Sequence, residues 1–227
     1  MTVYTSVDPT LSYTSLFLKR ETEKWDDKGN QIVKVTKEMA DKLYNMAQYL
    51  KRKGPIQTKD AFVTSAKDLV SSGQAITQFV RVIADHCLDK HCTEELCVIA
   101  EQILTISNQL TIISRGAWCL SSVNAVTPGC KSSDEILVKN AQNLLQTVIQ
   151  GVRAAEAACI RGLKQPEPNS EAAKAAAFCF QWKQSLLIHR AQEQLNPETD
   201  DLGLRRISQN STVPSLAPSI NVLDKYK

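Results

Sequence analysis

Glycine and proline are scarce, eight of each in 227 residues, and the scarcity removes whole classes of chemistry. There is no glycine-rich loop to cradle a phosphate, no HExxH pair to hold a catalytic metal and no G-x-S-x-G turn to present a nucleophile. Only His86, His91 and His189 are available as imidazole bases, and none sits in a recognisable constellation with a nucleophile and an orienting group. The chain is therefore read as a non-enzyme, with no catalytic residue, no cofactor and no resident metal. Aromatic residues make up 6%, and the β-branched residues are scattered among Ala, Gln, Lys and Glu instead of alternating, which argues against sheet.

Excess charge of one sign is also missing. The formal net charge is +3, with 19 basic against 17 acidic residues up to Leu163 and 8 against 7 beyond it. A nucleic-acid partner is not expected, because it calls for a concentrated basic face with interleaved aromatics. No stretch approaches the roughly 20 apolar residues that cross a bilayer, and no basic start leads into an apolar leader. The seven cysteines are an odd number, and several occupy apolar positions where a small hydrophobe would serve. That pattern suits reduced thiols and a cytoplasmic location.

What the chain does have is a heptad. Phe62, Ala66, Leu69, Gly73, Ile76, Val80, Ile83 and Cys87 alternate steps of four and three without a break. Ile32, Thr36, Met39, Leu43, Met46 and Leu50 keep the same register, as do Leu96, Ile99, Ile103, Ile106, Leu110, Ile113, Ala117 and Leu120. Such stripes must be covered by other helices, so the spacing predicts an all-α, antiparallel five-helix bundle.

A first helix is expected over residues 11–27, with small polar Ser15 and Thr22 on its inner face and Trp25 as its one large anchor. The second opens at Asn30 and stops at Gly54-Pro55, the third runs from Thr58 to Cys87, and the fourth opens at Thr93 after a link of about five residues. Residues 121–134 break the pattern. The fifth helix, from Asp134 to about Leu163, is apolar at Leu137, Ala141, Leu144, Val148, Gly151, Ala155 and Cys159, with a second stripe at Ile136, Leu145, Ile149 and Ile160. The expected organisation is a flexible arm over 1–12, the bundle over 13–163, a C-terminal helical extension over 164–195 and a disordered tail over 196–227, where apolar residues are too few to offset ordering.

Three clusters invite chemistry. Lys51, Arg52 and Lys53 close the second helix, which suits the helix dipole; an acidic phospholipid contact is the alternative. His86, Cys87, His91, Cys92 and Cys97 cross the corner between the third and fourth helices. A structural corner is favoured there over zinc or redox sensing, because Cys87 completes an apolar stripe and the His-Cys pairs are adjacent in sequence. Arg205-Arg206-Ile207-Ser208 has the form of a basophilic kinase target, which marks Ser208 as a phosphorylation candidate.

Several strings carry a family likeness: Glu23-Lys24-Trp25-Asp26-Asp27-Lys28-Gly29-Asn30, Ile83-Ala84-Asp85-His86-Cys87, Ile106-Ser107-Asn108-Gln109-Leu110, and the run from Val138 to Val148. Over residues 13–190 the chain resembles the C-terminal tail domain of the vinculin and α-catenin family. The resemblance implies a five-helix bundle that binds the side of actin filaments through its fourth helix and C-terminal extension. By position the filament-facing residues are Ile112, Arg115 and Gly116 on the helix, and Trp182 and Lys183 in the extension. Gly116 stands where the family has valine, and Thr105 where α-catenin has leucine. The resemblance further implies a cytoplasmic module at the cytoskeleton, cell junctions and plasma-membrane periphery, with adhesion or Rho-pathway proteins as partners.

Overall fold

The computed structural model describes residues 9–120, 133–165, 167–170, 173–177, 184 and 188, with the side chains of 117–120 outside that set. Five long helices follow one another: α1 (Pro9–Glu23), α2 (Gln31–Leu50), α3 (Lys59–His86), α4 (Lys90–Leu120) and α5 (Ser133–Arg161). The chain divides into two compact units, residues 1–183 and 184–227. The first contains the whole bundle; in the second, Gln184 and Ile188 are helical.

The heptad stripes become the core. Phe62, Met39, Leu43, Met46, Leu69, Ile76, Ile83, Leu96, Ile103, Leu110, Leu137 and Leu144 are fully buried, and α5 packs against all four other helices. Two glycines mark close approaches. A Cβ on Gly151 would stand 3.1 Å from Ile99 Cγ2 and 3.4 Å from Ile103 Cδ1, and one on Gly73 of α3 would stand 3.2 Å from Ser107 Oγ of α4 and 3.3 Å from Leu144 Cδ1 of α5.

The helix ends follow local chemistry. Asn30 Oδ1 accepts from the amides of Ile32 and Val33 at 3.1 and 3.3 Å, and Thr58 Oγ1 accepts from Ala61 N at 3.2 Å, so both expected caps form. α4 starts four residues earlier than its sequence suggests, with Asp89 as its cap in place of Thr93. Asp89 Oδ1 accepts from His91 N at 2.9 Å and Cys92 N at 3.3 Å, because a carboxylate at a helix start gains from both the free amides and the dipole. Thr93 instead hands its hydroxyl to Asp89 O and Ala84 O. At the end of α2, Arg52 takes a left-handed φ of 55°; Arg52 N donates to Tyr49 O and Lys53 N to Gln48 O, the paired bonds of a Schellman stop. The three cations thus lie just past the helix instead of in its last turn.

Four further expectations are corrected. α1 spans Pro9–Glu23, so residues 9–12 of the expected arm are helical and the helix stops four residues short of 27. Trp25 therefore sits beyond the helix, its amide donating to Thr22 O and its ring packed on the core edge. Of the second α5 stripe, Leu145 and Ile149 are buried, but Ile136 and Ile160, near the two ends of the helix, are exposed. α4 between Lys90 and Gly116 is long and apolar enough to cross a membrane by length and composition; here Leu96, Ile99, Ala100, Ile103 and Leu110 are buried while Val98 and Ile112 are exposed. Cys87, Cys92 and Cys97 are free thiols, whereas Cys159 is disulfide-bonded, so reduced cysteine throughout does not hold. Residues 121–132, expected to break the pattern, and Phe178, Phe180 and Trp182 lie outside the described residues.

Candidate functional site

The candidate surface is the side of α4 turned away from the seam. Leu110 is fully buried and Ile113 is partly buried against the core, so the helical period turns Ile112 outward, where it is 69% exposed. Arg115 and Gly116 follow on the same face, both exposed. Among the described residues nothing lies within 4 Å of where a Gly116 Cβ would stand. The surface is an apolar knob, a cation and a bare stretch of backbone within about one helical turn.

Two turns toward the start of α4, the same face continues into an open groove of about 530 Å³ between α4 and α5, lined by Cys97, Val98, Glu101, Gln102, Thr105, Ile106 and Thr147. Thr105 Oγ1 donates back to Glu101 O at 2.8 Å, which leaves only a methyl group to project. Glu101 is held at 2.7 Å by Arg81 of α3. Val98 is 56% exposed and was missed in the sequence, although Val98, Thr105 and Ile112 recur every seven residues off the seam.

The short α3–α4 link and the Lys59–Asp134 ion pair put the start of α3, the end of α4 and the start of α5 at one end of the bundle. Lys51, Arg52 and Lys53, all exposed, lie between α2 and α3 at that same end. Sequence reasoning thus named two patches that share one end of the fold. Trp182, Lys183 and Ser208 lie outside the described residues.

The other end holds the His-Cys corner. His86 Nδ1 contacts Val82 O at 2.9 Å. Cys92 Sγ accepts from Arg161 Nη1 at 2.9 Å, and burial, partly opposed by that guanidinium, pushes its thiol above the ordinary range. Among the described residues no group of three or more His, Cys, Asp or Glu side chains is placed to hold a metal ion. What the corner joins is the first turn of α4 to the last turn of α5.

A family model described as Vinculin family matches residues 4–186. Vinculin from the sponge Oscarella pearsei is 35% identical over 149 residues, covering 63% of this chain and 17% of that protein. Human vinculin is 38% identical over 145 residues, covering 63% of the chain and 13% of its own length. The chain thus spans under a fifth of those relatives. A solved structure described as a vinculin homologue in a sponge superposes with a TM-score of 0.56 at 30% identity, over 76% of this chain and 20% of that one.

Proposed function

The chain belongs to the vinculin family, and from that premise we propose that it is a docking module that binds the side of actin filaments without turnover. The family makes it a cytoskeletal and adhesion-related helical module. The finer assignment is that Ile112, Arg115 and Gly116 on α4, with Trp182 and Lys183 in the extension, form the filament-facing surface. One observation carries it: Ile112 stands 69% exposed beside Arg115 on a helix whose other isoleucines are drawn toward the core. An exposed isoleucine contributes nothing to folding and up to about 1.5–3 kcal/mol when a partner covers it.

We assign Lys51, Arg52 and Lys53 as a small acidic-phospholipid contact, which at about 1 kcal/mol per cation near an anionic surface is weak by itself. Ser208 is a phosphorylation site in this reading. The mixture of vinculin-like and α-catenin-like strings most resembles α-catulin, which would place the chain at adhesion sites in the cytoplasm. A second reading has support in two residues: Gly116 offers no side chain, and Thr105 turns its hydroxyl back into the helix. On that reading the bundle is a scaffold for adhesion or Rho-pathway proteins with little filament affinity.

Cosedimentation decides between them. Saturable pelleting that Ile112→Ala weakens about tenfold, with an unchanged unfolding midpoint, supports the filament reading. No pelleting at physiological salt, with and without acidic liposomes, removes it.

A further inference from the structure

The last residues of α5 are tied down in a way that the bundle's own cohesion does not require. Gly162 N closes the helix on Ala158 O at 3.0 Å, and the Gly162 φ of +133° belongs to a region open to glycine alone. A side chain there would also press on Leu88 Cδ1 at 3.3 Å. The turn carries the chain straight onto the α3–α4 corner. Leu88 N donates to Gly162 O at 3.3 Å and Lys164 N to His86 O at 2.7 Å, so that Cys87 and Leu163 form an isolated antiparallel bridge.

Side chains reinforce the same joint. Arg161 Nη1 reaches Asp89 Oδ2 at 3.0 Å and Cys92 Sγ at 2.9 Å. The other Asp89 oxygen is the α4 cap, so one carboxylate both starts α4 and holds the end of α5. Leu163 packs on the core edge, and Ala175, farther along the extension, is buried in the same core.

We infer that Asp89, Arg161 and the Cys87–Leu163 bridge are a positioning latch that fixes where the extension leaves the bundle and hence where Trp182 and Lys183 lie relative to the Ile112 face. The inference rests on the filament reading above. Geometry makes the departure point matter. From Lys164 the chain, among the described residues, runs without helix to Ser170 and is helical over residues 173–177, so its course is set first by the point at which it leaves the bundle. A free chain from Lys164 to Trp182 spreads over about 20–25 Å in every direction, and each encounter then carries the entropy of finding the other half of the surface.

Asp89→Asn is the informative change, because the asparagine oxygen still caps α4 while the ion pair to Arg161 is gone. In the full chain we expect the unfolding midpoint to stay within a few degrees. Exchange of the Lys164 amide and tryptic cleavage at Lys174 and Lys183 should rise about tenfold, and filament affinity should fall about fivefold. Arg161→Lys in the parent chain, which keeps a cation opposite Asp89, should show only part of each effect. Unchanged exchange and cleavage overturn the latch. Raised cleavage with unchanged filament affinity overturns its positioning role. A parent chain that does not pellet at all overturns the filament reading, and cleavage and exchange then still decide whether the latch exists.

Discussion

Gly116 is the position where adding atoms tests the surface without disturbing the fold. It lies inside α4, four residues from its end, exposed, with no described atom within 4 Å of a Cβ. Glycine in a helix interior costs about 0.8–1 kcal/mol relative to alanine, so Gly116→Ala should stabilise the chain by up to about 1 kcal/mol and leave filament affinity where it was. Gly116→Val gains less from the helix, because a β-branched side chain loses rotamer freedom there. It places an isopropyl group one turn beyond Ile112. Full burial of that group would contribute about 1.5–3 kcal/mol; half burial, about 1 kcal/mol, corresponds to roughly fivefold tighter binding. Denaturant unfolding measures the first effect, and pelleting isotherms for the parent and both variants measure the second. Valine binding no tighter than alanine would refute the claim that filaments cover this face. A destabilised alanine variant would refute the claim that the position is open.

Three other outcomes follow from the packing and the charges. Gly151→Ala should destabilise by about 1–2 kcal/mol net, since overpacking against Ile99, Ile103 and Val80 at about 1–3 kcal/mol outweighs the helix gain; equal or higher stability in urea would refute it. Gln142→Ala removes bonds from Gln142 Nε2 to Leu11 O at 2.6 Å and Ser15 Oγ at 2.9 Å, each worth about 1 kcal/mol. Amide exchange in α1 should therefore rise on the order of tenfold, while α3 and α5 keep their protection. Asp89 is held below the ordinary carboxylate range first by the Cys92 amide and also by the His91 amide and Arg161. A depressed acid stabilises the fold fully above its unfolded value of about 3.9, and that stability is lost as pH falls through the lower folded value. The stability difference between the parent and Asp89→Asn should accordingly shrink below about pH 4; a difference constant with pH would refute it.

The seam was readable because a seven-residue apolar period has few other meanings. Leu137, Ala141, Leu144, Val148, Ala155 and Cys159 are all buried as the spacing requires. The exceptions occur where tertiary structure chooses between equivalent local signals. Asp89 and Thr93 are both competent caps, and Asp89 prevails because Arg161 from a helix 72 residues away also needs it. Ile136 and Ile160 look like core, yet among the described residues both are exposed, one near each end of α5. Ile112 was found because it breaks the seam register; Val98 breaks it in the same way, but only the groove between α4 and α5 gives it meaning. The joint at Gly162 has no sequence period at all, since it is made of backbone pairing between residues 74 or more positions apart.

α1 differs from its neighbours in a way that bears on how any partner engages the bundle. Its buried face is small and polar, with Ser12, Ser15 and Thr22 inside, while Tyr13 and Phe17 point outward at 71% and 55% exposure. Among the described residues Ser12 Oγ and Gln142 Oε1 have no hydrogen-bond partner, an expense that α3, seated on Phe62, Leu69, Ile76 and Ile83, does not carry. What holds α1 is Leu11, Leu18, the Gln142 contacts and surface ion pairs to Asp41 and Arg153, and exposed pairs contribute at most about 1 kcal/mol each. The element with the least apolar burial per ordered residue opens first. A partner that binds more tightly once α1 has left shifts that equilibrium only by its difference in affinity between the two forms, and a helix held this lightly keeps the required difference to a few kcal/mol. On the filament reading, the polar seam of α1 sets how readily the bundle responds to a ligand, and the α4 face sets which ligand that is.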